Sequence, residues 1–222
     1  HTDRKKYMEL YEAFETYYLA LVFSLLAIAT VFILPFMKLY TSGADINYID
    51  WKLPVFFGIY QLLNYGRFPA NMVIGFAGEF RTTQWRACLE AAINLVVSFI
   101  CVFRFGIYGV LFGTIAALLY RANDMILFAN HRVLQRSAFS SYRKWGGNII
   151  LFVLLAGGVL KLPLRFDSYG KMLMHAVWIG PFILLTFFLM NSLMEKNACK
   201  TAKKYLKSSI KMLLQGEKYT HA

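Results

Sequence analysis

Six stretches of the chain, about residues 15–38, 53–78, 87–103, 107–130, 146–162 and 172–194, are runs of apolar side chains divided by polar or glycine and proline punctuation. A helix needs about 20 such residues to cross the hydrocarbon of a bilayer. Inside that hydrocarbon each backbone N–H and C=O must find its partner within the protein, which a helix does along its own length. The pattern therefore predicts an all-α integral membrane protein, a bundle of six transmembrane helices. Composition agrees, with 58% hydrophobic and 16% charged residues in 222 and a mean hydropathy of +0.48, where a soluble domain carries about 25% charged residues. Six spans leave only short loops, so a large soluble catalytic domain is excluded.

The lysines and arginines orient the bundle. With six spans both termini share a side, and that side holds sixteen of the twenty-four basic residues against six on the other, with Arg67 and Arg121 inside spans. By the positive-inside rule both termini are expected in the cytoplasm of a cell-membrane protein. The third and fourth spans are joined by Arg104-Phe105-Gly106-Ile107-Tyr108-Gly109, a tight turn that predicts a helical hairpin. After the bundle, residues 195–222 form a tail in which Lys200, Lys203, Lys204, Lys207 and Lys211 lie opposite Ala202, Tyr205, Leu206, Ile210 and Leu213. This predicts a basic amphipathic helix, either lying on anionic lipid headgroups or solvated in the cytoplasm; nucleic acid is not an expected partner. The opening His1-Thr2-Asp3-Arg4 lacks an initiator methionine, and the first apolar run is too long for a signal-peptide core, so an internal start within a longer protein is expected.

Soluble-enzyme chemistry finds no foothold. Cys88, Cys101 and Cys199 are scattered singly, His1, His131, His175 and His221 are isolated, and the HExxH, GxSxG and Walker patterns are missing. No disulfide, metal site, cofactor or enzymatic activity is expected. Trp51, Trp85 and Trp145 fall at span ends, as interfacial tryptophans do.

The polar residues inside the spans carry the functional signal. A charge at the bilayer centre costs about 2.5–3.5 kcal/mol on insertion scales, so it must face protein, a counter-charge or water. Tyr60, Asn64, Arg67 and Asn71 share one face of the second span, and Pro69 removes a backbone donor and frees the Tyr65 carbonyl, predicting a kink beside Arg67. Such an arginine is either a hinge or substrate contact, or a guanidinium paired internally for structure. Glu90, Asn94 and Ser98 form a stripe on the third span, and Thr114, Arg121, Asn123 and Asp124 lie on the fourth. Because these spans are antiparallel, a Glu90–Arg121 ion pair is expected, with Asp124 competing for the arginine; it is either a structural lock or an ion relay. Gly109 and Gly113 form a GxxxG that permits close helix contact. His175, near the outer end of the sixth span, reads as an interfacial hydrogen-bonded residue.

The segment Gly78-Glu79-Phe80, Trp85-Arg86-Ala87, Glu90-Ala91-Ala92-Ile93-Asn94 with Ser98, Gly106-Ile107-Tyr108-Gly109 and Gly113-Thr114-Ile115-Ala116 resembles the C-terminal half of the Wzx-type polysaccharide (O-antigen and capsule) flippases. Their superfamily also holds the multidrug MATE exporters and lipid II flippases. The resemblance covers about forty residues, and the six-span layout extends it over most of the chain. It implies one lobe of a two-lobe MATE-like transporter that passes a polyprenyl-pyrophosphate-linked oligosaccharide from the inner to the outer leaflet, with the N-terminal lobe upstream or a second lobe as partner. On that reading Arg67, Arg121, Asn64, Asn71 and Asn94 are cavity candidates for the substrate, and Glu90 and Asp124 are candidates for ion coupling or a structural pair.

Three other readings stand beside it. A drug or cation exporter of the same superfamily expects acidic groups to dominate the cavity. An integral membrane transferase acting on the lipid carrier needs a carboxylate or histidine cluster at a membrane face, where only Asp45, Asp50 and Asp167 on one side and Glu79 on the other are available. A non-transporting scaffold subunit leaves the polar stripes unexplained.

Overall fold

A computed structural model describes residues 2–42, 50–162 and 166–216, with side chains from residue 5 to 209 except Phe80. His1, Asp45 and His221, and the side chains of Ile210, Lys211 and Leu213, lie outside the described residues.

Among the described residues the fold is all helical. In chain order these are α1 (Thr2–Tyr40), α2 (Lys52–Gly66), α3 (Phe68–Phe76), α4 (Phe80–Phe105), α5 (Ile107–Phe128) with a π-helical continuation (Ala129–Leu134), α6 (Phe139–Leu160), α7 (Tyr169–Met194) and α8 (Lys196–Gly216). Among the described residues, five segments are long and apolar enough to cross a membrane: Lys5–Tyr40, Arg81–Phe105, Ile107–Leu134, Phe139–Leu160 and Tyr169–Met194. The expected second span, 53–78, is instead two helices that meet at Arg67. The first span is longer than expected, because α1 continues toward the N-terminus through Glu12 and Glu15, whose charges find partners in the bundle.

α1 is the axis of the bundle and packs against α2, α3, α6, α7 and α8. Leu19, Phe23, Ala27 and Val31 recur every four residues along it and are buried, the spacing that keeps one face inward. Between apolar helices in lipid, contact is driven by close van der Waals packing rather than by exclusion of water. The buried rings follow that logic, with Phe23 meeting Trp145 edge-on at 5.8 Å between centroids. Trp145, expected at the interface, is thus a core residue at 9% exposure, unlike Trp51 and Trp85 at 63% and 60%. His175 Nδ1–H donates to the Lys171 carbonyl at 2.7 Å, and its ring lies against Phe166.

The α4–α5 hairpin forms as expected. Gly106 joins the helices at φ +55°, a left-handed conformation that suits glycine. A Cβ on Gly109 would lie 2.4 Å from the Cys101 carbonyl carbon, and one on Gly113 would lie 2.6 Å from the Ser98 nitrogen. The two glycines therefore let the backbones touch. α8 turns Ala198 inward and half-buries Ala202 and Tyr205, while Lys200, Lys203, Lys204, Lys207 and Leu206 are exposed. Ala198, Ala202 and Tyr205 thus lie toward the bundle, where α8 meets α1 and α7, while Leu206 stays exposed.

Candidate functional site

The site grows from the break between α2 and α3. Pro69 has no N–H to offer the Tyr65 carbonyl, four residues back. The Arg67 N–H turns to that carbonyl, and Asn71 N–H donates to Arg67 O at 3.0 Å, so Arg67 closes one helix and opens the next. Behind the break, a Cβ on Gly66 would lie 2.4 Å from the Trp145 ring. The indole fills the place of a side chain there.

From the break the Arg67 guanidinium enters a chain of charges across α4 and α5. Its Nη1 donates to Glu90 Oε1 at 2.9 Å and its Nη2 to Asn64 Oδ1 at 3.2 Å. The other Glu90 oxygen lies 3.5 Å from Arg121 Nε, Arg121 Nη1 reaches Asp124 Oδ2 at 3.1 Å, and Arg86 Nη1 reaches Asp124 Oδ1 at 2.5 Å. Each carboxylate is shared by two guanidiniums, and three arginines face two acids, an excess of one positive charge. The expected Glu90–Arg121 pair and the competing Asp124 both appear, joined in one chain with Arg67.

Among the described residues, two guanidinium nitrogens, Arg86 Nε and Arg121 Nε, are buried without a hydrogen-bond acceptor. Arg86 also lies over the Phe128 ring at 4.8 Å, a cation–π contact that partly replaces water. Isolated, each of these charges would be costly at this depth. Linked, they hold α3, α4 and α5 together while leaving cationic donors short of acceptors.

An open cleft of about 320 Å³ adjoins the chain, lined by Tyr60, Asn64, Arg67, Glu90, Asn94 and Thr114 among others. The structure thus brings Asn64, Arg67, Glu90 and Asn94 to one space, while Arg121 and Asp124 stand behind it in the charge chain. Asn71 does not join them: it follows the break on α3, is exposed, and is not part of the cleft wall. The Asn94 amide oxygen accepts from Ser98 Oγ at 3.0 Å and Thr114 Oγ1 donates to Val110 O at 3.0 Å, so both keep spare polar capacity. Among the described residues no three His, Cys, Asp or Glu side chains gather as a metal site. The cleft wall itself pairs one guanidinium with one carboxylate among amide and hydroxyl groups, and the excess positive charge of the chain lies behind it.

Sequence reading missed several participants. Arg86 precedes the expected third span, yet it closes the charge chain from the first turns of α4. Lys144, one of the sixteen basic residues on the side of the termini, is 2% exposed and donates to Glu15 Oε2 at 2.7 Å. Glu15 also accepts from Arg136 at 3.0 Å and Ser141 at 2.5 Å, and Arg136 reaches Glu12 at 2.8 Å. This second cluster ties α1 to the start of α6. Its one sequence signal is the pair of glutamates three residues apart at the edge of an apolar run. Asn148 and Asn191 exchange amide hydrogen bonds at 3.0 and 2.8 Å between α6 and α7.

Comparison with family models, curated proteins and solved structures finds no match to this chain.

Proposed function

We propose that this chain is one six-helix lobe of a membrane flippase that moves a polyprenyl-pyrophosphate-linked oligosaccharide from the inner to the outer leaflet, with both termini of the segment cytoplasmic. The observation that carries the reading is the charge chain beside the cleft, where three guanidiniums outnumber two carboxylates within the apolar thickness. Arginine donors suit the oxygens of a diphosphate. The net positive charge of the chain beside the cleft disfavours a cationic drug, which makes the exporter the weaker reading.

Two further features support it. α2 and α3 together count as the sixth traverse: Phe56 on α2 packs on Tyr108 at the start of α5, and α3 packs on the π-helical end of α5. A helix broken at a polar residue near mid-span is also a common way for transporters to present groups to a cargo. The resemblance of residues 78–117 to the polysaccharide flippases points the same way.

The test is restoration of surface polysaccharide in a cell lacking its own flippase, using the natural full-length protein. Wild type restores it, and Arg67→Ala reduces restoration by about tenfold or more, the effect of losing one charge-assisted contact, with membrane abundance unchanged. Arg67→Lys, which keeps the charge without the fork, falls between. Full restoration by Arg67→Ala would overturn the site, and efflux of a cationic dye without restoration would favour the exporter.

A further inference from the structure

Glu90 stands between two arginines in different surroundings. Its Oε1 accepts from Arg67 Nη1 at 2.9 Å, and Arg67 lines the cleft with its side chain 21% exposed. Its Oε2 lies 3.5 Å from Arg121 Nε, on a side chain 6% exposed that stands behind the cleft wall. At that distance the ions attract, but Arg121 Nε makes no hydrogen bond, which would close at about 2.9 Å. A buried N–H without an acceptor is costly. Arg121 is not saturated by its other partner, since Asp124 uses a different nitrogen, Nη1 at 3.1 Å, and is also held by Arg86 at 2.5 Å. The carboxylate is thus bonded to the arginine that meets the cleft and one short step from the arginine behind it.

An oxyanion entering the cleft meets this carboxylate on the very guanidinium that is to receive it. The amides around it are ready to donate: Asn94 gives its oxygen to Ser98 Oγ and Asn64 gives its oxygen to Arg67 Nη2, so each keeps its NH2. Charge decides entry, because Glu90 already neutralises Arg67. A singly charged anion brings Arg67 no more than the carboxylate supplies. A diphosphate diester carries two negative charges on oxygens that a guanidinium grips as a fork, and it can displace a carboxylate that has a second seat.

We propose that Glu90 is a built-in stand-in for the diphosphate: it neutralises Arg67 in the empty cleft and transfers to Arg121 Nε when the diphosphate arrives. Each ion is then partnered in both states, and Glu90 returns to Arg67 on release. The exchange sets a charge threshold, admitting a doubly charged diphosphate and refusing a singly charged phosphodiester. The inference rests on the flippase reading, whose diphosphate it takes as ligand, and adds the residue that selects it.

The test is calorimetric titration of the natural full-length protein in micelles with two methyl esters, the symmetrical dimethyl ester of diphosphate, a dianion, and dimethyl phosphate, a monoanion. Wild type binds the dianion about tenfold or more tightly than the monoanion. Glu90→Gln, which leaves Arg67 without a counter-charge, binds both more tightly and narrows the gap between them. Charge removal alone would do the same, so Arg121→Lys separates transfer from simple repulsion, keeping the positive charge beside Asp124 but lacking the Nε seat. It lowers dianion affinity by about tenfold with Glu90 present. In the Glu90→Gln background it changes nothing, which also shows that the lysine variant folds. Equal effects of Arg121→Lys in both backgrounds, or weaker dianion binding by Glu90→Gln, overturn the transfer; if Arg67→Ala still abolishes binding, the flippase reading survives. Dianion binding that Arg67→Ala leaves intact, or no dianion binding at all, overturns that reading and the transfer with it.

Discussion

Glu15→Gln should be among the most damaging single substitutions in the chain. Glu15 is 3% exposed and receives Lys144 at 2.7 Å, Arg136 at 3.0 Å and Ser141 at 2.5 Å. Removing its charge leaves Arg136 with Glu12 at 2.8 Å, but leaves Lys144 with only the Glu12 backbone carbonyl at 3.3 Å. Breaking one side of a buried pair costs about 3–5 kcal/mol, and that carbonyl keeps the expected loss near the lower figure. Lys144→Met should cost less, about 1–3 kcal/mol, because Glu15 keeps Arg136 and Ser141. The double variant should be clearly better than the sum of the two, with a coupling of about 2 kcal/mol, since the stranded ammonium is gone. Equilibrium unfolding in mixed micelles gives all three values. A loss under about 1 kcal/mol for Glu15→Gln, or strict additivity in the double variant, would refute the claim that this pair is one energetic unit.

The helix contacts make further predictions. Gly113→Ala, whose Cβ would lie 2.8 Å from Asn94 O and 2.6 Å from Ser98 N, should cost about 1–3 kcal/mol as the hairpin is forced apart. Gly146→Ala, with nothing within 4 Å, should be neutral or mildly stabilising, and equal melting of the two variants would refute the close-contact account. Asn191→Leu should cost about 0.6–2 kcal/mol, because the Asn148 amide oxygen loses its donor while its NH2 keeps only the Lys144 carbonyl at 2.9 Å. Asn148→Leu with Asn191→Leu should recover most of that, so additive losses would count against a coupled pair. The Tyr108 hydroxyl, and then the Lys52 N–H, hold the Asp50 carboxyl below the usual carboxylate range. Its stabilisation is therefore complete above about pH 4 and is lost as pH falls through the lower folded value. Tyr108→Phe should flatten the acid limb of melting temperature between about pH 5 and pH 2, and an unchanged limb would remove Asp50 from that role.

What the sequence made legible was local or periodic. Apolar runs marked α1, α4, α5, α6 and α7, and the Gly106 turn with its flanking helices placed Glu90 and Arg121 at one depth. Pro69 marked the site of distortion, but a proline predicts a lost hydrogen bond and not how far the two halves part. Here Gly66 admits the Trp145 ring, and Arg67 caps both halves. The partners most poorly foreseen lie far apart along the chain: Glu15 with Lys144, Arg86 with Asp124, Asn148 with Asn191. A lysine just before an apolar run looks the same in sequence whether it meets water or a glutamate more than a hundred residues away. Asn71 failed for the opposite reason, since helical phase was carried across a break that ends it.

The indole against Gly66 gives the protein an internal optical probe. Trp145 is the one buried tryptophan of the four, with Trp51, Trp85 and Trp178 at 63%, 60% and 77% exposure. Quenchers dissolved in water or lipid therefore reach the other three first, leaving emission weighted toward Trp145. Bending at Arg67 moves the Gly66 backbone against that ring and changes its surroundings. Motion of the broken helix can then be followed by residual emission in unlabelled protein, with Trp145→Phe as the dark control.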